Sequence, residues 1–393
     1  MLKLRARLAG IVLTILLVLT AGLVSADPTI TFNQTIRPPP ATDKFDISFV
    51  KNGAYILADR KNNAVDLFDA STLTFAGGIG SGGFVGIGPA PAVCGVNACD
   101  GPNGVLIDNN NHIWAGDGPA RFCTSPACFC FAGETTSMVK EYQLTPSSGT
   151  TGRLVCLDTG GKFRADTMAL DSTNNLLIVA NDFDGFLSLI KTSGTPPSIV
   201  DKFFYADNDV GQPSSAGLST PGGGIEQPVW SPQTGFFYVA LPTSGPSIPG
   251  GRVDVFNPTT GKLVFQRSID VPGCDGGPIG LAINNSDELL GTCSNGVALI
   301  NVRSNNVTIL GTTAIGSADV SWFDPGSNAW YVSNTPGGQF GVVSNSTGNA
   351  IQVITQPGCC GHSIAAFTAS HTQSFIFNPN AGGTGISVFK ATP

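Results

Sequence analysis

The sequence predicts an all-β protein, a seven-bladed β-propeller closed by its N-terminal strand. Three observations carry this prediction. Charged residues make up 12% of the chain, about half the roughly 25% of an average soluble domain, while 41% of residues are hydrophobic, too many for a disordered chain. The chain holds 50 glycines and 27 prolines, with no three-residue collagen period, so many short segments must be joined by many turns. A pair of short apolar strands around a polar turn recurs seven times.

In chain order, residues 1–26 come first and carry the parts of a secretory signal. Lys3, Arg5 and Arg7 precede the uncharged apolar stretch Leu8–Val24, and Val24-Ser25-Ala26 is a small-residue cleavage site. The stretch is shorter than the roughly 20 residues that cross a bilayer as a helix. Residues 27–393 are therefore expected to be one secreted domain, extracellular or periplasmic, with no membrane span after signal removal. Ten cysteines fit an oxidising compartment. A net charge of −7 with no basic run after Arg7 argues against nucleic acid, whose phosphates need clustered Lys and Arg.

The seven strand pairs begin with Ile47–Val50 and Ala54–Asp59, then Val105–Asp108 and His112–Asp117, then Met168–Asp171 and Leu176–Asn181. The fourth pair is Val229–Ser231 and Phe236–Leu241, and the fifth is Leu281–Asn284 and Glu288–Cys293. The last two are Ser321–Asp324 with Ala329–Asn334, and Ile364–Thr368 with Gln373–Asn378. Most pairs are followed by an alternating third strand, such as Gly185–Ile190, and a fourth, such as Ile199–Phe204. Four-stranded units at about 40–60 residues are propeller blades. The seventh copy stops one strand short, and Thr29–Ile36 has no blade of its own, so it is expected to supply the missing outer strand. Seven blades fit better than six or eight. A monomer is expected, because closure removes exposed sheet edges.

Gly101-Pro102-Asn103-Gly104-Val105-Leu106-Ile107-Asp108, with Ile113-Trp114-Ala115-Gly116-Asp117 behind it, resembles NHL-type and SMP-30/gluconolactonase-type propellers. The pattern is similar, across most of residues 27–393, to the broader group that includes YVTN-type propellers. Propellers host hydrolases, lyases and inert scaffolds, so this likeness bears on architecture more than on reaction.

Aligning the copies on their first strands puts Asn103, Asp166, Glu226 and Asp319 in one register at the expected channel mouth, with Ile279 and Ser363 in copies five and seven. Converging carboxylates repel unless a cation or protons intervene, and oxygen donors suit calcium. The resemblance to SMP-30-like proteins implies that a Glu, Asp and Asn set of this kind holds a central divalent cation, Ca2+ or another. The chain departs from that pattern in its first blade, which has Phe45-Asp46 where those proteins place a Glu. A second polar set, Asp59, Asp117, Asn181, Asp182, Asp184 and Asn334, falls just past second strands on the same face.

His112 and His371 are expected at exposed turns on the opposite face, whereas His362 borders the mouth and is the candidate general base, with Asp182 beside it. Cys293 should lie near Cys274, and that disulfide is expected. Cys94, Cys99, Cys123, Cys128 and Cys130 crowd the two longest insertions, 78–101 and 118–136. Two function classes remain open. One is a metal-dependent lactonase, hydrolase or lyase acting on a small molecule at the channel mouth. The other is a non-catalytic scaffold whose stapled loops bind a protein or glycan.

Overall fold

The computed structural model describes residues 27–392 except 90–93, 95–96, 146–151, 223, 244–249, 311–314, 316–317, 335–337, 346–348, 359 and 383–384. The signal expected at 1–26 lies outside the described residues. The strands form seven four-stranded antiparallel sheets. Their first strands are Phe45–Lys51, Val105–Ile107, Met168–Asp171, Pro228–Ser231, Leu281–Ile283, Ala318–Asp324 and Ala365–Ser370. Each touches the first strands of the blades on either side, and the seventh touches the first, so the ring closes. Among the described residues no helix is long and apolar enough to cross a membrane.

Turn chemistry explains the repeated Asn and Asp between first and second strands. Asn52, Asn111, Asn175, Asp287 and Asn328 all adopt φ between 51° and 59°. That left-handed backbone is tolerated by Asn and Asp far better than by other side chains. Second strands are buried throughout, as in Leu176–Asn181, because a neighbouring blade covers each face. Outer strands alternate instead, as in Ser198–Phe204. Between blades 2 and 3, for example, Trp114 and Val139 pack against Leu177, Val179 and Ile190.

Thr29–Ile36 does complete the last blade. It runs antiparallel to Ile386–Thr392, from Thr29 opposite Thr392 to Ile36 opposite Ile386, with one bulge between Phe32 and Gln34. The structure adds two third strands that the repeat did not reveal, Ser137–Gln143 and Gln339–Ser344. In the first of these, Lys140 and Glu141 are both buried, so charge masks what is an interior strand.

The expected Cys274–Cys293 disulfide is present, spanning 19 residues, beside Cys94–Cys99, Cys123–Cys128 and Cys130–Cys156. Cys360 is also disulfide-bonded; Cys359 lies outside the described residues. Both Cys274 and Cys293 are fully buried in the core between blades 4 and 5. Replacing the pair by Ser is expected to lower unfolding stability by about 3 kcal/mol in the chain-entropy account. Denaturant titration of the double variant measures this, and a parental midpoint would rule the staple out as a stabilising element.

Candidate site at the channel mouth

Backbone pairing shows why the polar register exists. The N–H of Asn103 donates to Gly116 O, that of Asp166 to Ala180 O, that of Glu226 to Ala240 O and that of Ile279 to Thr292 O. Each lies just before its first strand and is held by the same carbonyl near the end of the second. Blades 1 and 6 reach the mouth differently. Phe45–Lys51 slips register between Phe45 and Ser48, and Ala318–Asp324 slips between Ala318 and Ser321. Such bulges re-aim side chains, here those of Asp46 and Asp319, which occupy matching positions.

His362 of blade 7 stands between them. Its Nε2 lies 2.8 Å from Asp46 Oδ1 and its Nδ1 2.7 Å from Asp319 Oδ2. Burial disfavours the imidazolium, but Asp319 and Asp46 outweigh it and raise the His362 pKa to about 10. With both nitrogens engaged and the ring protonated at neutral pH, His362 is not placed to act as the general base expected from sequence. It is a cationic link joining blades 6, 7 and 1.

The chain of contacts continues through Arg60, which follows the second strand of blade 1. Arg60 Nη2 donates to Asp46 Oδ2 and, at 2.8 Å, to Asn103 Oδ1, which also accepts from Arg60 Nε at 3.1 Å. Burial opposes ionisation of Asp46, yet Arg60 and His362 hold its carboxyl well below the usual range. Asn103 Nδ2 donates to Asp100 O and Ala165 O. Both ends of the Asn103 amide are thus committed to protein partners, and its oxygen faces a guanidinium.

Arg164 organises the other half of the mouth. Asp184 accepts the Lys162 and Phe163 N–H groups at 2.9 and 3.0 Å, and Arg164 N donates to Ala98 O. This aims the Arg164 guanidinium at Asp166, 2.7 Å away, and Asp182, 3.3 Å away. Even so, burial raises the Asp166 pKa to about 6 and that of Asp182 to about 7, with Arg164 only partly offsetting it. Asp182 Oδ1 also accepts the Ile225 N–H at 3.2 Å, which brings it beside Glu226. Gly224, at φ +86°, permits this approach, since a Cβ there would collide with Asp182 Oδ1.

Glu226 differs from the rest. Its half-buried carboxyl makes no side-chain hydrogen bond among the described residues. Burial, and then Asp182, Asp166 and Asp319, push its pKa well above the ordinary carboxylate value. Phe183 completes the rim, 43% exposed, with the Arg164 guanidinium 5.4 Å from its ring centre. Below the mouth the channel holds a cavity of about 110 Å³ lined by first-strand residues. Phe49 and Trp322, 5.4 Å apart edge to face, meet across it.

The predicted residues are therefore divided among separate partners. Asp319 pairs with His362 and Asp166 with Arg164. Among the described residues, Asp166, Glu226 and Asp319 are not grouped with donor atoms within 4.8 Å of one another; that description fits Asp108, His112 and Glu141. Of the second polar set, Asp182 joins the mouth and Asp184 orients it. Asp117 pairs with Lys140, Asp59 accepts the Asn62 N–H, Asn181 donates to Ser188, and Asn334 is buried. Sequence reasoning missed Asp46, Arg60 and Arg164. The parallel Asp46-Ile47-Ser48-Phe49 and Asp319-Val320-Ser321-Trp322 segments were a readable signal for the first. His371 is exposed at its turn as expected, but His112 is not free, lying 2.7 Å from Glu141 Oε1.

Fold and mouth together define the class: a seven-bladed β-propeller with a zwitterionic channel entrance. The chain is similar in structure to the WD40 β-propeller domain of Doa1, with a TM-score of 0.61 at 12% identity, over 92% of this chain and 96% of that one. No protein family and no curated protein matches the sequence. The likeness at this identity is one of fold.

Proposed function

We propose that this is a secreted propeller enzyme whose channel mouth acts on a small polar molecule by acid–base chemistry, of the lactonase, hydrolase or lyase type. Glu226 is the proton donor and Asp182 the proton acceptor. The single observation that carries this reading is the Glu226 carboxyl at the mouth, without a side-chain hydrogen bond among the described residues and pushed up by burial and by three other acids. A carboxyl pushed well above its ordinary value beside a second raised to about 7 offers the proton donor and acceptor that general acid–base catalysis uses. Arg164 supplies positive charge for a substrate carbonyl or carboxylate oxygen, and exposed Phe183 offers an apolar surface beside it. The disulfides, four of them between described residues, and the export signature support secretion.

A second reading, a calcium ion at the mouth, is favoured by the charge balance. Five carboxyls, Asp46, Asp166, Asp182, Glu226 and Asp319, face three cationic groups, Arg60, Arg164 and His362. The excess matches a divalent cation, although Asn103 does not fit as a ligand, and no catalytic step is assigned to the ion.

The two readings diverge with pH. Carboxyls whose folded pKa is raised contribute stability that is complete below their unfolded value and is lost as pH rises through the folded value. For Asp166 and Asp182 the loss begins near the ordinary value of 3.8 and is complete just above about 6 and about 7 respectively. The melting midpoint is therefore expected to drop by about 2 °C or more between pH 5 and pH 8, and Glu226→Gln is expected to flatten the drop. Turnover of a panel of lactones and aryl esters should fall roughly 100-fold in Glu226→Gln. A midpoint at pH 8 that rises with added calcium in the parent, but not in Glu226→Gln, would favour the ion. A parent inert to the whole panel would leave the scaffold alternative in possession.

A further inference from the structure

At the opposite end of the ring, blade 2 gathers a different set of side chains. Asp108 follows the first strand, His112 opens the second, and Glu141 lies on the third, opposite Trp114. Because side chains alternate along a strand, His112, Trp114 and Glu141 share one face, the one that packs on blade 3. His112 Nδ1 lies 2.7 Å from Glu141 Oε1 and 3.9 Å from Asp108 Oδ2. One ligand atom from each residue falls within a 4.8 Å group.

We propose that Asp108, His112 and Glu141 bind a divalent transition-metal ion of the zinc type, with its remaining coordination position open to the groove between blades 2 and 3. An imidazole nitrogen with two carboxylates suits zinc better than calcium or magnesium, which prefer oxygen alone. In a tetrahedral site with ligand bonds near 2.0–2.1 Å, ligand atoms stand roughly 3.3 Å apart. The two distances above straddle that value, so an ion entering among them requires only small side-chain shifts.

Outer contacts already hold the ligands in place. Asp108 Oδ1 accepts the Asn110 and His112 N–H groups at 2.8 and 2.9 Å, and Asp108 Oδ2 accepts Trp114 Nε1–H at 3.1 Å. Such second contacts orient metal-binding carboxylates. Two buried carboxylates, Asp108 and Glu141, thus flank one imidazole. The independent feature is access. A groove of about 560 Å³ opens beside His112 and Glu141, walled by Leu154, Val155 and the turn containing Pro196 and Pro197. It provides the entry path that a metal site requires and room for a fourth, exogenous ligand.

The test uses the full secreted chain, dialysed against zinc chloride and, separately, titrated with cobalt(II) for its visible absorption. The expected result is about one zinc retained per chain, with affinity weakened roughly tenfold or more in Glu141→Gln and in His112→Gln. Glu226→Gln, at the other end of the channel, should bind zinc as the parent does. Absence of binding at about 100 µM free zinc, or binding unchanged in Glu141→Gln, overturns the proposal. Thermal melts of both variants verify folding; if His112→Gln does not fold, the near-isosteric Glu141→Gln decides alone.

Discussion

Deletion of residues 27–36 is expected to convert a cooperatively melting protein into one that aggregates or is rapidly proteolysed. The strand Thr29–Ile36 pairs along its length with Ile386–Thr392, so its loss bares an edge in a ring that otherwise has protected ones. Such edges template association. Ile30 and Ile36 are also buried, packing among residues such as Phe389 and Val388, and each contributes about 1.5–3 kcal/mol of burial. Together with the lost backbone pairing, this is a large share of the 5–15 kcal/mol that holds typical domains folded. Light scattering and a thermal melt of the deleted chain measure the effect. A monodisperse product with the parental midpoint would show that the strand is dispensable.

The second large effect is expected at Lys140. This lysine is fully buried, and its Nζ donates to Asp117 Oδ2 at 2.6 Å, Gly83 O at 2.7 Å and Cys128 O at 2.8 Å. Asp117 Oδ1 in turn accepts the Val85 N–H. One ion pair thereby ties both long insertions, 78–101 and 118–136, to blade 2 beside the mouth. Burial lowers the Lys140 pKa, and Asp117 opposes that shift. Lys140→Met leaves a buried carboxylate without its cation, and breaking such a pair from one side costs about 3–5 kcal/mol. Replacing both residues, Lys140→Met with Asp117→Asn, is expected to recover part of that loss, because no uncompensated charge remains. Chemical denaturation compares the two, and limited proteolysis reports whether the insertions are released. A single variant within about 1 kcal/mol of the parent would overturn this account.

Blade number and closure were legible because they depend on local chemistry. Apolar alternation, a left-handed Asn or Asp at each tight turn and a last repeat one strand short all stand within a few residues of one another. The Cys274–Cys293 pair was legible for the same reason, since both cysteines belong to one blade. The mouth was only half legible. The register of Asn103, Asp166 and Glu226 follows from equivalent hydrogen bonds within each blade, but the partners do not. Asp46 and His362 are 316 residues apart in the chain and meet only because the ring closes.

By itself, then, the sequence determined the repeat, the strand order within each blade and the choice of residues facing the channel, because those follow from periodicity and turn preferences over short distances. Tertiary structure decided which charge meets which. It placed Arg60 and Arg164 among the acids, protonated His362 by setting it between Asp319 and Asp46, and left Glu226 with raised pKa and no side-chain hydrogen bond among the described residues. Burial and charge at the mouth depend on distances between blades, and no spacing along the chain records those distances.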